Sequence, residues 1–211
     1  MGDKLNLRQA VLEGDASAAL AAAQEELARG TSPIDIIAQG ISPAMREVGD
    51  LFQAGECFVP ELLMSARATK GVFEVLRPLL AQRGVQPTGR VVLGTVLGDL
   101  HDIGKNLVAA MLEGGGFEVI DLGVNVSPQG FVSAVKDKQP TIVGISALLT
   151  TTMPAMAKTL EAIRSSGMRT LVKVMVGGAP VTQSFCDAIG ADGYASDAAT
   201  AVDLARQLAA S

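Results

Sequence analysis

The 211-residue sequence predicts a helical bundle followed by an α/β domain that is built on a parallel β-sheet. Up to about residue 83 the apolar residues recur at the spacing of an α-helix, with glycine and proline breakers between the periodic stretches. After residue 89 short β-branched runs alternate with amphipathic stretches, as in βα repeats. A polar segment at 82–89 separates the two patterns. We therefore expect two domains, 1–85 and 86–211.

The breakers of the N-terminal half predict four or five helices that pack as a small bundle. They fall at residues 14–15, 30–33, 40–43 and 54–55. Ser32-Pro33 and Ser42-Pro43 each place a capping hydroxyl before a proline at the first helical position, where the missing N–H is not needed. The last and longest helix is expected from residue 59 or 60 to residue 80.

The C-terminal half contains five βα repeats, which predict a mostly parallel, five-stranded sheet of the Rossmann-like or flavodoxin-like type, with helices on both faces. The expected strands are 91–95, 118–122, 142–146, 170–176 and 193–195. The expected helices are 103–113, 128–138, 153–165, 181–189 and 198–210. Such sheets bind ligands at the carboxyl ends of their strands. Functional residues are therefore expected in the loops that follow Thr95, Leu122, Ser146 and Val176.

The charge balance argues against a protein that binds nucleic acid or anionic membranes. The formal net charge is −5 and the pI is about 4.9, whereas both partners attract basic surfaces. Cys57 and Cys186 form no short-spaced pair, so neither a disulfide framework nor a cysteine zinc site is indicated. The sequence has no apolar signal core and no apolar run of the roughly 20 residues that a membrane span needs. We expect a cytoplasmic protein whose partners are proteins and small molecules.

His101 is the single histidine of the chain, and it falls in the loop after the first predicted strand. An imidazole is a good metal ligand, and its tautomer is set by the group that accepts the proton of its other nitrogen. Asp99, two residues earlier, can supply that acceptor. Gly98 and Gly104 bracket the run and permit an open loop backbone. Taken alone, such a histidine is more often a polar loop residue that caps the next helix.

The spacing of three blocks favours the ligand interpretation. Asp99-x-His101-x-x-Gly104 is followed by 41 residues and Ser146-x-Leu148, after which 28 residues lead to Gly177-Gly178. This pattern resembles the cobalamin-binding domain shared by methionine synthase, corrinoid mutases and small methyl-carrying corrinoid proteins. The resemblance implies a cobalamin cofactor, methylcobalamin or a related corrinoid, whose benzimidazole has left the cobalt and been replaced by His101.

The resemblance also implies how the cofactor is held. The nucleotide tail would lie in a groove where Ser146 forms a hydrogen bond, Leu148 supplies an apolar wall and Gly177-Gly178 leaves room. For the two glycines alone, an ordinary strand-to-helix turn is the alternative. The other cofactor contacts expected from the matching motifs are Gly98, Asp99, Asp102, Ile103, Gly104 and Thr150.

In this family a hydroxyl extends the histidine–aspartate pair, six residues after the serine of the second block. Thr152 occupies that position here, which implies a relay of His101, Asp99 and Thr152. Thr150 and Thr151 are close rivals. Such a relay would couple the protonation of Asp99 to changes in cobalt ligation.

The run at 49–66 resembles the helical cap of methionine synthase and of the stand-alone corrinoid carriers. In that family the cap covers the upper face of the corrin. Phe52, Val59 and Leu62 match the positions whose apolar groups shield the cobalt-bound methyl group. Hydrophobicity alone would instead place these side chains in the core of the bundle.

The resemblance implies a methyl carrier without a catalytic domain of its own. Its partners would be a donor-specific methyltransferase, an acceptor methyltransferase that uses a folate or a thiol, and a reductive activase. The alternatives are a cobalamin-binding sensor or regulator module and the small subunit of a corrinoid isomerase. Regulators usually carry a DNA-binding segment, and isomerase subunits normally lack the cap. The sequence does not identify the methyl donor or the methyl acceptor, and it does not determine the oligomeric state.

Overall fold

The computed structural model describes residues 7–83 and 87–211. They divide into two compact units, one of residues 7–83 and 113–116 and one of residues 87–112 and 117–211. The first unit is helical and the second is α/β. The predicted domain boundary after residue 85 lies outside the described residues.

The helical unit begins with a helix of 6 residues and ends with one of 24 residues. Its α-helices are α1 (Leu7–Leu12), α2 (Ala16–Ala28), α3 (Pro33–Ile36), α4 (Ser42–Gln53) and α5 (Val59–Gln82). A π-turn, Ile37–Ile41, joins α3 to α4 without a break, so residues 7–83 contain four continuous helical stretches. The alanines Ala19, Ala22 and Ala23 are fully buried on α2, which packs against α5.

The two predicted serine caps have different outcomes. Ser32 is confirmed as an N-cap, because its hydroxyl accepts a hydrogen bond from the Asp35 N–H and Pro33 follows at the first helical position. The prediction that Ser42 is an N-cap is wrong, since α4 begins at Ser42 itself, and Ser42 is helical with its N–H donating to the Ile37 carbonyl. Proline has no N–H for the regular ladder, and the wider π-turn before it lets the helix continue.

The α/β unit contains a five-stranded, all-parallel sheet in the order β2-β1-β3-β4-β5, which confirms the predicted class and is the flavodoxin-like order. The strands are β1 (Arg90–Thr95), β2 (Glu118–Asp121), β3 (Ile142–Ser146), β4 (Lys173–Gly177) and β5 (Gly193–Ala195). The helices are α6 (Ile103–Gly114), α7 (Pro128–Lys138), α8 (Met153–Ser165), α9 (Gln183–Ile189) and α10 (Ala198–Ala210).

The core of this unit follows from the apolar strands and the helices that cover them. Buried strand residues lie on both faces of the sheet, as expected when helices cover both. One face carries Val92, Val143, Ile145 and Val174, which pack with Phe131, Leu160 and Ile163, and the other carries Val91, Leu93, Ile142 and Met175. Gly94 on β1 makes room for Phe131, because an added Cβ would lie 2.8 Å from the Phe131 ring.

The predicted element boundaries are close to the observed ones, with two differences of note. The fourth strand begins at Lys173 instead of residue 170, because Leu171 closes a turn onto the Met168 carbonyl and pairing with β3 starts at Ile142. The ninth helix begins after Thr182, whose hydroxyl caps the Phe185 N–H, instead of at residue 181.

The register of the sheet aligns the ends of three strands. Thr95 on β1 pairs with Ser146 on β3, and Ser146 pairs with Gly177 on β4. The three sequence blocks, which are separated by 41 and 28 residues in the chain, therefore start side by side at the carboxyl edge. β1 and β3 are neighbours whose following helices lead to opposite ends of the sheet, and this is the crevice where parallel sheets bind ligands.

Across 7–83 and 87–211, no helix has both the length and the hydropathy that crossing a membrane would require.

Candidate functional site

The loop that carries His101 is fixed to the sheet by its backbone. The chain turns after β1 through Gly98, which has a positive φ of 86°. The Asp99 N–H then donates to the Val96 carbonyl at 3.1 Å. The Thr95 hydroxyl donates to the His101 carbonyl at 2.9 Å. The backbone on both sides of Leu100 is therefore fixed, at Asp99 and at His101, before α6 begins.

Asp99 is fully buried, and each of its carboxylate oxygens accepts hydrogen bonds. Oδ1 accepts from the His101 ring Nδ1 at 2.7 Å and from the His101 N–H at 3.1 Å. Oδ2 accepts from the Leu148 N–H at 2.8 Å and from the Thr152 hydroxyl at 2.7 Å. Burial opposes ionisation, but the hydrogen bonds from Thr152, Leu148 and His101 outweigh it and hold the pKa of Asp99 well below its usual range.

An ionised Asp99 determines the proton position on the imidazole. A carboxylate can only accept, so the ring nitrogen that faces it, Nδ1 of His101, carries the proton. In the neutral ring the lone pair is then on Nε2. The His101 side chain is half exposed while the Asp99 side chain is fully buried, so that the ring remains accessible to a ligand.

Thr152 is the threonine that reaches Asp99. Its side chain is buried and its hydroxyl lies 2.7 Å from Asp99 Oδ2 and 2.8 Å from the Leu149 carbonyl. The single hydroxyl proton favours the charged acceptor. Thr150 and Thr151 are exposed. The structure thus brings His101, Asp99 and Thr152 into one hydrogen-bonded row, in the arrangement that the resemblance implied.

The double glycine lies where two backbones come close together. Gly178 has a φ of 124°, which side chains rarely adopt, and an added Cβ would lie 1.9 Å from the Ala147 carbonyl oxygen. At Gly177 an added Cβ would lie 3.0 Å from the Ala195 carbonyl oxygen. The fold itself therefore requires a glycine at position 178. The spacing of the sequence blocks did not reveal this structural requirement.

Large apolar side chains are exposed on the loop that carries His101, at the start of α6 and on the loop after β3. They are 41 to 79% exposed, and exposed apolar groups that lie together mark surfaces that a ligand or partner covers. These side chains are Leu97, Leu100, Ile103, Leu148 and Leu149. A half-exposed imidazole and exposed apolar side chains on the same loops are the groups that a large ring with a central metal would need.

Two further predicted contacts have local roles at the start of α6. Asp102 is exposed, its carboxylate accepts from the Asn106 side-chain amide at 3.1 Å, and its carbonyl accepts from the Asn106 N–H at 2.7 Å. Gly104 has open space where a Cβ would stand. Both positions are thus compatible with a contact to a bound molecule.

The three predicted cap positions differ in exposure. Leu62 is fully buried, as the bundle-core interpretation expects, whereas Val59 is 38% exposed and Phe52 is partly buried. Phe58 and Met64 were not singled out from the sequence, yet they are 64% and 51% exposed at the start of α5. The break in helical periodicity before residue 59 is the signal that could have drawn attention to Phe58.

Comparisons with known proteins give the family. Two family models, each described as a B12 binding domain, match residues 6–77 and 89–203. The chain is 44% identical over 198 residues to trimethylamine corrinoid protein 2 of Methanosarcina acetivorans, covering 93% of this chain and 91% of the relative.

Two solved structures are similar over nearly the whole chain. A cobalamin-binding protein from Desulfitobacterium hafniense DCB-2 has a TM-score of 0.82 and 32% identity, with 99% of each chain covered. A chain of the methanol:cobalamin methyltransferase complex MtaBC from Methanosarcina barkeri has a TM-score of 0.85 and 30% identity, with 100% of this chain and 81% of that chain covered. This chain therefore belongs to the B12-binding family of corrinoid proteins, and its cofactor is a cobalamin or a related corrinoid.

Proposed function

We propose that this protein binds its corrinoid with the benzimidazole displaced and His101 as the lower cobalt ligand, and that it carries a methyl group between a donor-specific and an acceptor methyltransferase. The observation that supports this best is the half-exposed imidazole whose Nδ1 is bonded to the buried carboxylate of Asp99. When bound, the corrinoid supplies a cobalt centre that accepts and releases the methyl group.

The residues of the chain perform the supporting tasks. Asp99 fixes the tautomer and the plane of the imidazole, so that Nε2 points away from the carboxylate. Thr152 and the Leu148 N–H hold Asp99 from the opposite side. The exposed apolar side chains on the loops after β1 and β3 would exclude water from a bound corrinoid. Ser146 and Gly177, which are paired in the sheet, border the groove for the nucleotide tail.

The class of methyl donor follows from the relatives. The identity to a trimethylamine corrinoid protein is 44%, and the identity to the chain of the methanol complex is 30%. We therefore infer methylamines as the donor class. An acceptor methyltransferase that uses a folate or a thiol, and a reductive activase, are the further partners that we propose from the family resemblance. The helical unit, which a B12-binding family model matches at residues 6–77, favours a carrier over an isomerase subunit.

Magnetic resonance of the loaded protein tests the proposed ligand. The chain has one histidine, so ¹⁵N-histidine labelling of untagged protein reports His101 alone. With cobalamin bound and cobalt in its +2 state, we expect hyperfine coupling to the histidine nitrogen in the EPR spectrum. Coupling to the benzimidazole nitrogen of the cofactor, with no effect of the label, would contradict His101 as the ligand.

The cap assignment predicts a specific effect of Phe52→Ala. If Phe52 shields the methyl group, its removal leaves corrinoid affinity nearly unchanged, because most of the binding area is in the groove, but photolysis of bound methylcobalamin becomes faster. The rate is followed by absorbance under constant illumination. Leu171→Ala is the matched control, because Leu171 is 70% exposed and lies before β4, at the amino-terminal edge of the sheet. Equal photolysis rates in the wild type, Phe52→Ala and Leu171→Ala would refute the proposal that Phe52 shields the methyl group.

Thr152→Val tests the hydroxyl behind Asp99. The substitution keeps the shape but removes the hydrogen bond to a buried carboxylate, so we expect a loss of about 1.5 to 3 kcal/mol in the free energy of unfolding. Thr159→Val is the control, because Thr159 is also fully buried but its hydroxyl bonds only to the Ala155 carbonyl of its own helix. Urea unfolding measures both. Thr152→Ser should restore stability, and a similar small loss in both valine variants would contradict the assigned role.

A further inference from the structure

Asn125, in the loop after β2, forms two hydrogen bonds to the backbone of the His101 loop. The Asn125 side-chain oxygen accepts a hydrogen bond from the Gly98 N–H at 2.8 Å. Its own N–H donates to the Asp99 carbonyl at 3.0 Å. The next residue, Val126, donates its N–H to the Thr95 carbonyl at 2.9 Å. Asn125 therefore contacts the two residues that precede the imidazole.

The backbone conformation of Asn125 is unusual. Among residues 7–83 and 87–211, Asn125 and Gln139 are the two non-glycine residues with a positive φ, at 55° and 48°. Asparagine tolerates this region better than most residues. Gln139 ends α7, where left-handed residues commonly cap helices, and its N–H returns to the Val135 carbonyl. Asn125 ends no helix, and both of its hydrogen bonds are to the His101 loop.

The position of Asp99 depends on these contacts. Asp99 has its carbonyl bound by Asn125, and its carboxylate binds the ring of His101. Gly98 has a φ of 86° and a Cβ-free backbone, so it resists displacement less than a bulkier residue would. The hydrogen bond from Gly98 to Asn125 supplies the restraint that the glycine lacks. A shift of this backbone would change the distance between Asp99 Oδ1 and Nδ1, and with it the tautomer of the imidazole.

We propose that Asn125 is a positioning residue for the His101 ligand, acting through the Gly98–Asp99 backbone. This inference rests on the proposed function for its consequence in cobalt ligation, but its effect on the imidazole exists without the cofactor. Two measurements therefore separate the two proposals.

The first measurement uses the full-length protein without cofactor. At about pH 8, above the ordinary titration range of histidine, the ¹⁵N shifts of the single labelled histidine give the ratio of its two neutral tautomers. We expect the Nδ1–H form to dominate in the wild type. Asn125→Ala should lower the ratio of Nδ1–H to Nε2–H by roughly fivefold, the effect of one lost hydrogen bond. Asn125→Asp keeps an oxygen acceptor and should restore the ratio.

Two variants separate the acceptor from the backbone conformation. Asn125→Gly tolerates the positive φ but has no acceptor, so it should behave like Asn125→Ala. Gln139→Ala, the matched control, imposes the same backbone strain at a residue that does not bond to the loop, so it should leave the tautomer ratio unchanged. A wild-type ratio in Asn125→Ala, or in Asn125→Gly, would overturn the proposal.

The second measurement uses the same variants loaded with cobalamin, with cobalt in its +2 state. Asn125→Ala should lower the fraction of protein that shows histidine hyperfine coupling, and Asn125→Asp should recover it. A changed tautomer ratio without histidine coupling in any protein would refute the proposed ligation but leave the positioning role intact. Full coupling together with an unchanged tautomer ratio in Asn125→Ala would refute the positioning role alone.

Discussion

Asp99→Asn is expected to lower the free energy of unfolding by about 3 kcal/mol and to weaken histidine ligation of the cobalt. Asparagine has the shape of aspartate, but one of its two oxygens becomes an NH₂ group. Each carboxylate oxygen of Asp99 faces N–H or O–H donors, from His101 on one side and from Leu148 and Thr152 on the other. In either orientation, the NH₂ group of the amide therefore faces an N–H donor, either from His101 or from Leu148.

The expected change at His101 follows from the amide orientation. If the NH₂ group faces the ring, Nδ1 must accept and the proton moves to Nε2, which then cannot bind a metal. If the amide oxygen faces the ring, Nδ1 keeps its proton, but the uncharged acceptor holds the imidazole less strongly than the carboxylate does. Urea unfolding measures the stability, and ¹⁵N-histidine NMR and EPR measure the tautomer and the ligation. Asp203→Asn is the control, since its side chain is 64% exposed on α10. Wild-type stability and histidine coupling in Asp99→Asn would show that the buried carboxylate does not set the ligand.

Gly178→Ala should be the most destabilising of the glycine substitutions. The residue combines a φ of 124° with an added Cβ that would lie 1.9 Å from the Ala147 carbonyl oxygen, a backbone atom that cannot move without separating β3 from β4. We expect a loss of more than about 3 kcal/mol in the free energy of unfolding. Gly123→Ala is the control for backbone strain alone, because Gly123 has a φ of 80° and open space around it.

Gly177 tests the tail groove with less damage to the fold. Its added Cβ would lie 3.0 Å from one carbonyl oxygen, and its φ is not in the left-handed region. Replacement by a bulky residue such as valine should weaken binding of complete cobalamin far more than binding of cobinamide, which has no nucleotide to bury. Absorbance titrations with both corrinoids measure the two affinities, alongside urea unfolding. Equal losses for the two corrinoids would mean that Gly177 serves the fold only.

The periodicity of the sequence predicts most of the secondary structure because each signal is local. A buried parallel strand needs a β-branched apolar run, and the strand at 142–146 was predicted with its observed bounds. Ser42-Pro43 misled the prediction because proline excludes a regular helical hydrogen bond but not a π-turn. The choice between a break and a π-turn depends on packing across the bundle, where Ile41 is fully buried.

The three neighbouring threonines show what local sequence patterns cannot predict, namely which side chain reaches Asp99. Thr150, Thr151 and Thr152 have the same hydroxyl, and the sequence leaves them as rivals. The Thr152 N–H closes a turn onto the Leu149 carbonyl, which directs the Thr152 side chain inward to Asp99 while the other two stay exposed. Asn125 gave no signal at all, because its role depends on two loops that are adjacent only after β1 and β2 have paired.

The sequence by itself determined the α/β class and the family, because residue spacing along the chain carries both. It also identified His101, Asp99 and the double glycine as the residues to examine. Only the tertiary structure decided that Asp99 is fully buried and ionised, and that Gly178 is required by the Ala147 carbonyl. The physical reason is that burial, close backbone contacts and hydrogen bonds between loops are properties of the folded sheet, in which the order β2-β1-β3-β4-β5 brings distant segments together.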